Sequence, residues 1–157
     1  MDSPWLAVCF DTGNPLALLE DPMESARALA PLVRTVHLKD YQLCATPEGF
    51  SLIGCALGEG VVDLRGIMDL LRAEAPEAAL NIECYLGRHP LPALEDSYLR
   101  QLPETSASAL GATLRLVRDR GLPRNPLLPT ERDAPEDELL AAEDDLVLRS
   151  VRWAGQA

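Results

Sequence analysis

Lysine occurs once in this chain, at Lys39, against thirteen arginines. Aromatic residues are scarce at 4%, histidine occurs only at His37 and His89, and no two cysteines form a CxxC pair. Each scarcity removes a class of function. Cys9, Cys44, Cys55 and Cys84 lack the spacing of a zinc ribbon or a dithiol redox motif, and they read as reduced, mostly buried thiols of a cytosolic protein. No apolar run approaches the ~20 residues of a membrane span, and no basic start leads into an apolar signal core. The expected setting is therefore the cytoplasm, with no membrane partner. Positive charge is also short. The formal net charge is −11, and eight acidic residues against the single Arg132 fall between Glu131 and Asp145. A surface of that sign repels phosphate backbones, so no nucleic acid partner is expected.

What is present is the composition of an ordinary globular domain, with 157 residues, 47% apolar and 25% charged. That length suits about one domain with a real core. WLAVCFD (5–11) is a nearly continuous apolar run ending in Asp11, and the turn signal TGNP follows, as for a strand covered on both faces. Asp21 then stands as a helix cap, with Pro22 at the first helical position and Glu24 three residues after the cap. RTVHLK (34–39) predicts a second strand close behind that helix, which makes a βαβ unit with parallel strands. CATPEGFSLIGC (44–55) predicts a small hairpin, and GEG (58–60) a turn before a helix starting near Asp63. Leu64, Ile67, Met68 and Leu71 give that helix its apolar side. LNIEC (80–84) predicts a third strand, residues 105–119 a helix, and the prolines beyond Gly121 a linker. An acidic helix over roughly 136–153, with Leu139, Leu140, Leu146, Leu148 and Val151 on its packing face, closes the chain. The order predicts an α/β fold with a parallel sheet.

In parallel α/β folds, ligands bind at the carboxyl ends of the strands. The polar residues at those ends are Asp11, His37 and Glu83, one from each strand. Side-chain alternation puts Cys9, Thr35 and Asn81 on the same faces. The opposite faces carry Val8 and Phe10, Val36 and Leu38, and Leu80 and Ile82, all suited to packing under helices. Two carboxylates and an imidazole make a mixed oxygen and nitrogen site for a divalent cation, and Mn²⁺, Mg²⁺, Co²⁺ or Zn²⁺ all suit those donors.

VCFDTGNP, TVHLKDY, LGEGVVDL and NIE, in that order, resemble the last strands of the xylose isomerase-like TIM barrels. That superfamily holds the sugar phosphate isomerases and epimerases together with inosose dehydratases and endonuclease IV. The resemblance spans roughly residues 5–85. It implies that Asp11, His37 and Glu83 are metal ligands and that Glu83 is also a catalytic acid/base carboxylate. The implied chemistry is aldose/ketose isomerisation or epimerisation of a sugar or cyclitol, by proton transfer next to a carbonyl. HLKD also resembles the inosose dehydratase branch, which makes a lyase an alternative. The endonuclease branch needs further histidines, and Asn14 stands where one would be.

A complete (β/α)8 barrel needs eight strands and about 250 residues. The expectation is thus the C-terminal portion of such a barrel, about three βα units plus closing helices. Residues 1–121 would form the partial barrel, 122–135 a Pro-rich linker, and 136–157 an acidic helix packing on the barrel. The strand before Asp11, which would carry a fourth metal ligand and a second carboxylate, would precede residue 1. An incomplete sheet predicts self-association through its exposed edge. It also predicts an inactive isolated chain, with a non-catalytic truncated sugar-binding or interaction module as a further alternative.

Around the strand ends, Asn14, Asp40, Glu59 and Arg88 are candidate substrate contacts, and His89 accompanies Arg88. Lys39 lies two residues past His37, on the same side or just over the rim. There its ammonium is expected to hold a substrate oxygen and reinforce polarisation of a carbonyl, as a second catalytic group.

Overall fold

The computed structural model describes residues 5–157. In chain order the elements are β1 (Val8–Asp11), a 3-10 turn (Asn14–Leu18), α1 (Pro22–Leu29) and β2 (Val33–Leu38). Then come β3 (Asp40–Thr46), β4 (Gly49–Cys55), α2 (Leu64–Glu74), β5 (Ala79–Ile82) and β6 (Arg88–Leu91). The short α3 (Asp96–Leu99), α4 (Ala107–Arg120) and α5 (Glu136–Ala154) complete the chain. Two three-stranded sheets result: a parallel one in the order β1-β2-β5, and one in the order β3-β4-β6 whose strand pairs are antiparallel. The fold is mixed α/β, with no closed barrel among the described residues.

The parallel sheet aligns its strand ends. Asp11 pairs with His37, His37 with Asn81, and Leu38 with Ile82. The backbone N–H of Glu83 continues the ladder to the Leu38 carbonyl at 3.0 Å. Behind this sheet, Phe10, Val36 and Leu38 are buried with Ala26, Ala30, Leu64, Ile67 and Leu71 of the flanking helical segments. Local chemistry sets the helix starts. Asp21 Oδ1 accepts the N–H groups of Met23 and Glu24 at 2.8 and 3.1 Å, while Pro22 fills a position whose missing N–H costs nothing. The Glu24 side chain turns to Arg27 at 3.6 Å instead of reaching back to complete a capping box. Asp63 caps α2 through the Gly66 N–H at 3.0 Å.

Four sequence-based expectations are corrected. The first strand begins at Val8, and Trp5 and Leu6 before it are largely exposed. The hairpin expected over 44–55 begins at Asp40, immediately after Lys39, and β6 adds a third strand where a loop was expected. Every residue of β5 is exposed, so Leu80 and Ile82 do not pack under a helix. The reason is that α4, the long helix after β5, docks on β3 instead. Its C-terminal exit ties there through the Leu122 N–H to the Leu43 carbonyl at 2.7 Å. Finally, α5 seats Leu146, Ser150 and Trp153, whereas Leu140, Leu148 and Val151 face outward. Ser150 anchors it by accepting the Leu57 N–H at 3.2 Å and donating to the Leu146 carbonyl at 2.9 Å.

Among the cysteines, Cys44 and Cys55 are buried, Cys84 is half-buried and Cys9 is exposed. Burial pushes the Cys55 thiol far up from its ordinary pKa, so it offers no thiolate near neutrality. No helix of the described residues is long and apolar enough to cross a membrane.

Candidate metal centre

Three adjacent strands of the parallel sheet, β1, β2 and β5, deliver Asp11, His37 and, just past the end of β5, Glu83 to one face. One ligand atom from each lies within 4.8 Å of the other two. The donor set fits a divalent cation: two carboxylates and an imidazole suit Mg²⁺, Mn²⁺, Co²⁺ or Zn²⁺. Such ions hold their ligands at about 2.0–2.2 Å, so the three side chains would draw together around one. Asp11 lies on the inner wall with its side chain 10% exposed, whereas the side chains of His37 and Glu83 are open to solvent at 43% and 41%.

Lys39 sits inside the same cluster. Its ammonium is 3.0 Å from Asp11 Oδ2 and 2.5 Å from Glu83 Oε1, with the side chain only 10% exposed. The other Glu83 oxygen lies 2.5 Å from His37 Nδ1. The other Asp11 oxygen accepts the N–H groups of Gly13 and Asn14 at 2.8 and 2.9 Å. Burial acts to lower the Lys39 pKa, but hydrogen bonds to Glu83 and Asp11 and the Asp11 charge outweigh it, so the ammonium titrates above its ordinary value of 10.5. For Glu83 the Lys39 hydrogen bond dominates over partial burial, and its carboxyl is held below its ordinary 4.5.

Thr12 locks the strand ends together. Fully buried, it accepts the Lys39 N–H at 2.8 Å and donates to the Lys39 carbonyl at 2.7 Å, while its own N–H binds the His37 carbonyl at 3.0 Å. The sequence marks Thr12 only as a turn residue or hydroxyl contact. Its partner is 27 positions away, and no local pattern announces the pairing.

The expected substrate contacts divide. Asn14 lies beside Asp11 and is exposed at the rim. Asp40 points away from Lys39 into the fold and is 1% exposed. It accepts N–H groups from Tyr41 at 2.9 Å, Gly58 at 3.0 Å, Gly60 at 2.9 Å and Val62 at 3.1 Å. Burial raises its carboxyl pKa, and these four donors oppose the rise without cancelling it. GEG thus wraps an anion, but the anion is the chain's own. A Cβ on Gly60 would stand 2.1 Å from Asp40 Oδ1, which explains the glycine. Glu59 pairs with Arg149 of α5. Arg88 lies in β6, bound to Glu131 and to the Pro126 carbonyl at 2.7 Å, so it ties the chain's acidic segment to the second sheet. Asp40, Glu59 and Arg88 are therefore structural ties rather than members of the cluster. A groove of about 880 Å³ between α1 and α4, walled by Leu16, Leu29, Ala109 and Leu116, contains none of the cluster residues.

No protein-family model matches the chain. A stretch of 74 residues is 36% identical to 3-oxo-isoapionate decarboxylase of Pectobacterium atrosepticum, covering 46% of this chain and 27% of that protein. A crystal structure of a xylose isomerase-like TIM barrel protein from Mycobacterium smegmatis, in complex with magnesium, is similar over 72% of this chain and 37% of its own, at 22% identity and a TM-score of 0.47. The chain resembles these proteins in part. It spans about a quarter of the length of the decarboxylase it matches.

Proposed function

We propose that the chain is a portion of a (β/α)8 barrel that catalyses divalent-metal-dependent isomerisation or epimerisation of a sugar or sugar phosphate. One observation carries the reading: Asp11, His37 and Glu83 converge within 4.8 Å from three adjacent parallel strand ends. Those three side chains would hold the ion. A bound divalent ion polarises a substrate carbonyl and eases removal of a proton from the neighbouring carbon.

The remaining steps belong to the chain's own groups. Glu83, whose carboxyl the Lys39 hydrogen bond holds below its ordinary pKa in the metal-free chain, takes the proton from carbon and returns it. With one oxygen on Lys39 and the other on His37, it is a weak base until a partner lets go. Lys39 donates to a substrate oxygen that gains negative charge, and Asn14 binds a hydroxyl at the rim. Proton transfer on the opposite face of the carbon would need a second acid/base group, which this cluster does not supply. For that reason the chain by itself is expected to bind metal without turning over.

The decarboxylase relative favours a second reading on the same scaffold. Loss of CO₂ from a 3-oxo acid leaves an electron pair beside a carbonyl, which a metal and Lys39 would stabilise just as they would an enediolate. Solvent deuterium incorporation without CO₂ release marks the isomerase, and CO₂ release marks the lyase, each measured in a barrel completed with preceding βα units. The metal reading is checked on the chain itself by Mn²⁺ titration followed through water-proton relaxation. Asp11→Ala, His37→Ala and Glu83→Ala are each expected to weaken binding by about tenfold or more. Unchanged binding in all three sinks the proposal.

A further inference from the structure

Each carboxylate oxygen of the cluster already has a partner, and one ammonium lies between the two carboxylates. Lys39 bridges Asp11 Oδ2 and Glu83 Oε1, the same carboxylates that a metal would take. We propose that the Lys39 ammonium is a built-in counter-cation that competes with a divalent ion for Asp11 and Glu83 and thereby sets the affinity of the site. The proposal rests on reading Asp11, His37 and Glu83 as a metal trio.

Three features support competition rather than coexistence. Lys39 and Asp11 have side chains equally withdrawn from solvent at 10%, so the ammonium stands at the inner wall and not over the rim. Thr12 clamps the Lys39 backbone on both its N–H and its carbonyl, so the root of the side chain is fixed while its four methylene groups stay rotatable. An ammonium and a divalent ion sharing two carboxylates at these distances would repel one another strongly in a half-buried setting. The ion therefore enters as the ammonium leaves. In the metal-free chain Lys39 keeps the two carboxylates from repelling each other and holds them together. In the loaded site the released ammonium is free to meet a substrate oxygen.

Because the chain has one lysine, its side-chain nitrogen gives one resonance. The experiment adds Mg²⁺ to the 157-residue chain labelled with ¹⁵N in lysine and histidine. The hydrogen-bonded Lys39 ammonium protons are expected to pass into fast solvent exchange along the same saturation curve on which the His37 imidazole signal moves. A His37 signal that moves while the Lys39 ammonium stays protected overturns the proposal and leaves the metal trio standing. If neither signal moves at saturating Mg²⁺, the trio reading fails and the competition fails with it. Calorimetry with Mn²⁺ on Lys39→Met supplies the second arm. Affinity is expected to tighten on the order of tenfold, since the internal rival is gone. Equal or weaker binding by a folded Lys39→Met chain overturns the proposal, and if that variant does not fold, the resonance experiment on the unaltered chain decides.

Discussion

Glu83 stands between an ammonium and an imidazole, and its titration is tied to Lys39 more than to any other group. A carboxyl held below 4.5 contributes stability that is present above that value and is lost as pH falls through its depressed folded pKa. Lys39, raised above 10.5, contributes stability that is present below 10.5 and is lost as pH rises through its folded pKa. The pair therefore supports the fold across the whole range between those limits. Glu83→Gln is expected to lower urea resistance at neutral pH and to match the parent once acidification has protonated Glu83. A difference that persists unchanged into strong acid contradicts the ion-pair account. Thr12 makes the second prediction at this scale. Thr12→Val keeps the volume but leaves the Lys39 N–H without its acceptor, at a cost of about 1–3 kcal/mol by denaturant titration. The Lys39 ammonium signal should broaden with it, because the root of the side chain is no longer clamped.

At the scale of elements, the loop 56–62 and helix α5 depend on one carboxylate and a few ties. Asp40 collects four backbone N–H groups, Gly58 takes a positive φ of 81°, and Trp153 lies close over Gly58. Asp40→Ala is expected to cost about 2–4 kcal/mol, since those donors lose a charged acceptor in a buried place. Proteolysis should then cut within 57–62, whereas an intact loop resists. Retained stability would show that water replaces the carboxylate. Arg65 of α2 stacks over the Trp153 ring at 5.4 Å and Arg149 bridges Glu59, so the last two turns of α5 are held to α2 and to this loop. Its outward Leu140, Val147, Leu148 and Val151 form a stripe that local amphipathicity predicts but that no described segment covers.

For the molecule as a whole, the parallel sheet has two edges, β1 and β5, each bonded among the described residues only to β2. Leu80 and Ile82 on β5 are 44% and 37% exposed. Open edges and exposed apolar side chains favour association, while a net charge of −11 opposes it through long-range repulsion. Sedimentation is therefore expected to show association that rises with protein concentration and with salt, and Ile82→Lys should reverse it. A monomer at all concentrations and salts excludes the edge as an interface.

The sequence by itself determined the strand-end trio, the cap at Asp21, the helix start near Asp63 and the apolar face of α2, because these follow from alternation, helical period and residue chemistry over short spans. It also singled out Lys39 by rarity and by position. What it could not determine was which partner each loop charge takes. Asp40, Glu59 and Arg88 look like available polar groups in the linear chain, and each is consumed by a contact 18 to 90 residues away. The docking of α4 on β3, which strips the cover from β5, is likewise a choice between distant surfaces of similar apolar character. Hydrophobic pattern says that a face is buried but not against what. Only the tertiary structure decided that Lys39 lies between the carboxylates of Asp11 and Glu83, because that bridge requires three strands in register at once.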